Sequence, residues 1–294
     1  MITRKPLERR VAVGPLHLMV YEWPGAEPAV FFTHANSFHA RCWDQVVAHL
    51  PGQRCLAVDL RGHGQSDKPA PPYRWRTLAE DLVALGQTLA LQGAVGVGHS
   101  VGGYATALAA ALNPALFTAL LLVDPVIFPA HVYGQVLEGE HFAARRRNEW
   151  PSPEAMFERF RHRLPFNRWK TEVLHDYCQY GLLPAPDGTG YILACPPPIE
   201  AAIYAGATTE SIYAELATIQ VPTVILRGHP HVLNAATDLS ASPTAPDLVR
   251  HFAHGRDVAL LNHSHFIPME TPTLVAGYIR DLLSGLTGTA SALG

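Results

Sequence analysis

The sequence predicts an α/β fold, a mostly parallel eight-stranded sheet flanked by helices with a helical insertion between the sixth and seventh strands. Three observations carry this expectation. Short apolar, β-rich runs alternate with longer helical ones, the order that covers a parallel sheet with helices. Hydrophobic residues make up 48% of 294 residues and charged residues only 16%, which provides a sizeable core and argues against wholesale disorder. From about Val126 to Ala217 the alternation stops, and no strand pattern of comparable quality appears there.

Taken in order, the expected strands are Arg10–Val13, His17–Tyr21, Ala29–Thr33, Cys55–Asp59, Ala94–Gly98, Ala119–Val123, Thr223–Arg227 and Val258–Leu261. Between them lie expected helices over Ala40–Leu50, Thr77–Leu91, Ser100–Leu112, Pro246–Ala253 and Pro272–Leu283. The last two carry proline in the first turn, where its missing N–H does no harm. The interrupting segment holds "RRRNEWPSPEAMFERFRHRLPFNRW", amphipathic helices broken by prolines, then a stiff "CPPP" and a helical "IEAAIYAGA". The expected organisation is a core over 1–125 and 218–294 and a helical cap over 126–217. The tail "SGLTGTASALG" reads as flexible.

Several function classes are disfavoured. A net charge of −3, with no basic block beyond Arg145, Arg146 and Arg147, argues against nucleic acid as the main partner. The N-terminal charges are not followed by an apolar signal region, and no run of about 18 uninterrupted apolar residues exists. A soluble protein without membrane partner is expected. Cys42, Cys55, Cys178 and Cys195 are scattered without CxxC spacing, as in reduced cytoplasmic proteins. "HPH" (His229, His231) and "HSH" (His263, His265) lack a carboxylate at ligand spacing, so no metal is expected. No cofactor is called for, the expected partner is a small-molecule substrate, and the chain is expected to be a monomer or homodimer.

The chemistry gathers around "AVGVGHSVGGYATALAA", residues 94–110. Gly98-His99-Ser100-Val101-Gly102 fits G-x-S-x-G between an expected strand and an expected helix. A sharp turn there lifts the serine hydroxyl above the sheet edge and aims the helix N-terminal amides at any negative charge formed beside it. A serine that merely caps the helix is the competing account. Strand, glycines and helix in register favour the nucleophile.

Three further segments accompany this elbow in order: "FFTHANSFHARCWDQVVAHL", "AVDLRGHGQSDKP" (57–69) and "LLNHSHFIPMETP" (260–272). With them the chain resembles the α/β-hydrolase fold family over nearly its full length. The resemblance implies a catalytic base at His265, with His263 as second choice, and an oxyanion hole from the amides of Val101 and Asn36, to which the Asn36 side chain could add. Where many members carry an aspartate after the seventh strand, this chain reads "RGHPHVLN". The acid is then expected at Asp124 in "LLLVDPV", the end of the sixth strand, with Asp238 as the alternative. His34, His99 and Phe128 are expected at the substrate pocket. Asp59 and Arg61 read as a supporting pair, and the arginine triplet as a solvated helix face with substrate-carboxylate binding as the alternative.

A serine hydrolase that cleaves a small or medium apolar ester through an acyl-enzyme is the expectation that follows. A lactonase or C–C bond hydrolase of the same fold, or a ligand sensor with little turnover, are the alternatives.

Overall fold

A computed structural model describes residues 4–135, 141–230 and 240–291. Asp238 and His231 lie outside the described residues. The chain begins with an antiparallel pair, β1 (Leu7–Val13) and β2 (Leu16–Trp23), followed by β3 (Ala26–Thr33), α1 (Asp44–Ala48), β4 (Gln53–Val58) and α2 (Trp75–Thr88). Then come β5 (Ala94–His99), α3 (Val101–Leu112) and β6 (Phe117–Val123). The segment after β6 contains β7 (Glu149–Trp150), α4 (Pro153–Phe160), α5 (Thr171–Tyr180), β8 (Leu182–Pro184), β9 (Tyr191–Leu193), α6 (Pro197–Ala205) and α7 (Tyr213–Leu216). The chain returns to the sheet through β10 (Thr223–Arg227) and β11 (Gly255–Ala259), then ends with α8 (Ile267–Glu270) and α9 (Pro272–Ser291).

The eight-stranded sheet has the order β1-β2-β4-β3-β5-β6-β10-β11. From β4 to β11 every neighbouring pair is parallel, and β2 joins β4 antiparallel. Alternate side chains of the central strands feed two cores. Phe31, Leu120 and Leu122 pack with Leu82, Leu85 and Leu108 of α2 and α3 on one face. Phe32, Leu121 and Val123 meet Val46 of α1 and Val275 and Ile279 of α9 on the other. Burial of both faces is why these strands read as continuous apolar runs. The chain order reverses between β3 and β5, and the crevice beyond strand ends at such a reversal is where α/β sheets place ligands.

Four expectations are corrected. The helix expected over Ala40–Leu50 is a 3₁₀ turn, Ala40–Trp43, ahead of the short α1, and that expected over Pro246–Ala253 is only a 3₁₀ turn, Leu248–His251. The buried Asp59 carboxylate accepts the Ala40 amide at 2.7 Å and fixes the first of these turns. The inserted segment also carries a three-stranded antiparallel sheet, β7-β9-β8. Its strands of two or three residues are too short to show a period of two. Finally, α9 continues through Ser291 into the tail that reads as flexible.

The seam between α1 and α5 makes stability depend on pH. Gln45 donates to the half-buried Asp176 carboxylate at 2.7 Å. Burial, with Asp44 nearby, raises the Asp176 pKa to about 7. The folded protein therefore binds this proton more tightly than the unfolded chain does. Its favourable contribution is present below about pH 4, the unfolded carboxyl range, and lost as pH rises through about 7. Asp176→Asn is expected to raise the melting temperature at pH 8 and to change it less at pH 5, as scanning calorimetry at the two values would read.

Candidate active site

Ser100 occupies the single residue between β5 and α3, with φ of 59°. Of the four described non-glycine residues with positive φ, three surround this point: Ser37, Ser100 and Asp124. Such backbone strain persists only where the surroundings over-determine it. Gly102 shows how tight the packing is, because a Cβ there would stand 2.5 Å from the His34 carbonyl oxygen. The first turn of α3 is thereby pressed against the loop that follows β3.

The Ser100 hydroxyl is 3.0 Å from His265 Nε2. His265 Nδ1 is 2.6 Å from Asp124 Oδ2. With the Nδ1 proton donated to the carboxylate, Nε2 is left as an acceptor facing the hydroxyl. Asp124 stands directly after β6 and is fully buried. Its other oxygen accepts from the Gly228 amide at 3.0 Å, the Ser242 hydroxyl at 2.5 Å and the Thr244 hydroxyl at 3.3 Å. These donors hold the carboxylate in place. His263 does not share this arrangement; its Nδ1 lies 3.2 Å from Glu270.

Two main-chain amides border the same space. Val101 is the first residue of α3, so its N–H has no acceptor within the helix. Asn36 follows β3 and lines the cavity beside Ser100 and Val101. Its side chain, however, is turned away from any oxyanion and donates through Nδ2 to the Glu200 carbonyl at 3.1 Å. The anticipated contribution of that side chain is therefore corrected.

The cavity has a volume of about 580 Å³. Ser100 and His265 open onto it, and Phe128, Phe160, Phe166, Trp169 and Tyr177 from the inserted segment enclose it with Phe38 and Phe266. Phe128 thus lies where it is expected. His34 and His99 do not line the cavity; both are buried behind it. His34 Nε2 accepts the Leu60 amide at 2.9 Å, while Nδ1 donates to the Ala35 carbonyl at 2.7 Å. His99 Nε2 donates to the His265 carbonyl at 2.9 Å and so tethers the backbone of that histidine. Burial holds both imidazoles well below their ordinary pKa, and neighbouring histidines add to the effect. His63, beneath the same loop, is lowered by burial to about 4. These neutral rings support the loops and leave the cavity to other side chains.

Two further expectations fail. Arg61 pairs with Asp81 at 2.5 Å, whereas Asp59 is occupied by the amides of Ala40 and Gln65. The arginine triplet is no helix face, for the 3₁₀ turn Phe142–Arg145 ends there. Arg146 turns inward to Glu200 on the cavity wall, and Arg147 lies over the Trp150 ring. Sequence reasoning also missed Ser242, Thr244 and Glu200. A lone glutamate within the otherwise apolar "PPIEAAIYA" was the available signal for Glu200, whereas "SASPTAP" offered no periodic cue.

The model of the alpha/beta hydrolase family matches residues 30–277. Among curated relatives, 2-(acetamidomethylene)succinate hydrolase of Mesorhizobium japonicum is 35% identical over 119 residues, 40% of this chain and 42% of that protein. Esterase Rv0045c of Mycobacterium tuberculosis is 36% identical over 120 residues, 40% of this chain and 39% of the relative. The chain therefore spans about two fifths of the length of these relatives. Among solved structures, E-2-(acetamidomethylene)succinate hydrolase superposes with a TM-score of 0.76 at 22% identity, covering 95% of this chain and 99% of that one. A thioesterase domain from the curacin biosynthetic pathway gives 0.73 at 20% identity, covering 94% and 99%. At such identities these two likenesses bear on fold alone. A family match over 30–277, on a sheet of this order, means that the chain belongs to the alpha/beta hydrolase family.

Proposed function

We propose that this protein is a serine hydrolase that cleaves small or medium, largely apolar carboxylic esters through an acyl-enzyme. The carrying observation is the unbroken chain of hydrogen bonds from Asp124 through His265 to a Ser100 hydroxyl on the cavity wall. A serine hydroxyl is a weak nucleophile at neutral pH until a base removes its proton. His265 Nε2 takes that proton as Oγ attacks the ester carbon, and Asp124 stabilises the resulting imidazolium. The developing oxyanion is held by the Val101 and Asn36 amides, each worth about 3 kcal/mol of barrier. His265 then passes the proton to the departing alcohol, and a water activated by the same imidazole releases the acid. The 126–217 insertion acts as a lid that keeps bulk water from the acyl-enzyme. Relatives named esterase and lipase support ester chemistry, and the four free, buried cysteines fit a reducing cytoplasm. Purified protein is expected to hydrolyse p-nitrophenyl esters from acetate to octanoate, with release of p-nitrophenol as the readout. No turnover across that series would contradict the reading.

A further inference from the structure

The mechanism above gives no task to the two charged side chains that line the cavity. Arg146 and Glu200 are the only aspartate, glutamate, lysine or arginine side chains among the described lining residues. Arg146 Nη1 lies 2.5 Å from Glu200 Oε2, with the Glu200 side chain 4% exposed. The pair is fastened to the loop carrying the Asn36 amide: Ser37 hydrogen-bonds the Glu200 carboxylate, and the Asn36 side chain donates to the Glu200 carbonyl. On its far side, Arg146 reaches the Tyr177 hydroxyl at 3.4 Å.

An ion pair withdrawn from water is usually less favourable than apolar side chains of similar size. Cohesion between the inserted segment and the core is served elsewhere, by Gln45 with Asp176 and by the aromatic cluster around Phe38 and Tyr177. Nη1 and Nη2 carry two N–H groups each and give one apiece to Glu200 and Tyr177, so the lining guanidinium keeps spare donors whose positive charge is already cancelled. A ketone, amide or ether oxygen would accept from those donors without repulsion. A carboxylate would lose its hydration in an apolar cavity and face the negative charge of Glu200. A plain alkyl chain would cover the guanidinium and give it no acceptor.

Resting on the serine-hydrolase reading, we propose that Arg146 and Glu200 form a second recognition point, which selects esters bearing an uncharged oxygen acceptor remote from the scissile carbonyl. Three methyl esters of matched shape test it: methyl hexanoate, methyl 5-oxohexanoate and monomethyl glutarate. By titrimetric assay, kcat/KM for the oxo ester is expected to exceed that for hexanoate by about ten-fold, the worth of one charge-assisted hydrogen bond. The glutarate should rank last. In Arg146→Met the oxo-to-hexanoate ratio should fall to about one, and in Glu200→Gln the glutarate should gain on both. Calorimetric binding of the same three compounds to Ser100→Ala reads recognition without turnover. Tighter binding of the oxo ester there, with no hydrolysis by wild type, would support the recognition point and overturn the serine-hydrolase reading. Equal binding of all three, or preference for the glutarate, would overturn the recognition point whatever the turnover.

Discussion

Ser100→Ala is expected to lower kcat for p-nitrophenyl butyrate by about a million-fold. The size of this loss follows from the division of labour at the site. Without Oγ, His265 has no proton to take, and the Val101 and Asn36 amides have no covalently held oxyanion to stabilise. The fold should be unaffected, because the Ser100 side chain makes no capping hydrogen bond to α3 and its strained backbone is fixed by neighbours such as Gly102. An unchanged melting temperature beside the lost activity would separate chemistry from folding. A residual rate within about ten-fold of wild type would remove Ser100 from the mechanism.

Asp124→Asn should cost about four orders of magnitude in kcat, with KM little changed. An asparagine can still accept from Gly228, Ser242 and Thr244, so the surroundings remain satisfied. What it removes is the charge that stabilises the imidazolium and the acceptor that keeps the proton on Nδ1. Facing an amide N–H, His265 would present its proton to Ser100 in place of a lone pair. Asp238→Asn, by contrast, is expected to leave kcat within a few-fold of wild type. The reverse pattern would move the acid to Asp238 and leave Asp124 a structural role beneath the histidine.

Much of this arrangement is legible in the sequence, for particular reasons. Central strands such as β5 and β6 are buried on both faces, so they appear as apolar runs, and the elbow betrays itself because only glycine fits where Gly102 meets the His34 carbonyl. Asp124 is singled out by an absence, the missing aspartate after the seventh strand, and the described geometry brings that carboxylate to His265. Contacts between distant loops were not legible. Arg146 and Glu200 are separated by 54 residues, and neither sits in a repeating pattern that would predict their meeting. His34 and His99 misled for a related reason, since their sequence position beside functional residues does not reveal that both rings turn behind the cavity wall. The three short strands of the insertion were equally silent.

The most direct test is intact-mass and peptide mass spectrometry after brief exposure to a fluorophosphonate, which reacts with a serine only when a base activates it. One adduct is predicted, on the peptide containing Ser100, lost in Ser100→Ala and strongly slowed in Asp124→Asn. A wild-type protein that stays unlabelled, or a Ser100→Ala variant that labels as readily, would contradict an activated serine on this bend.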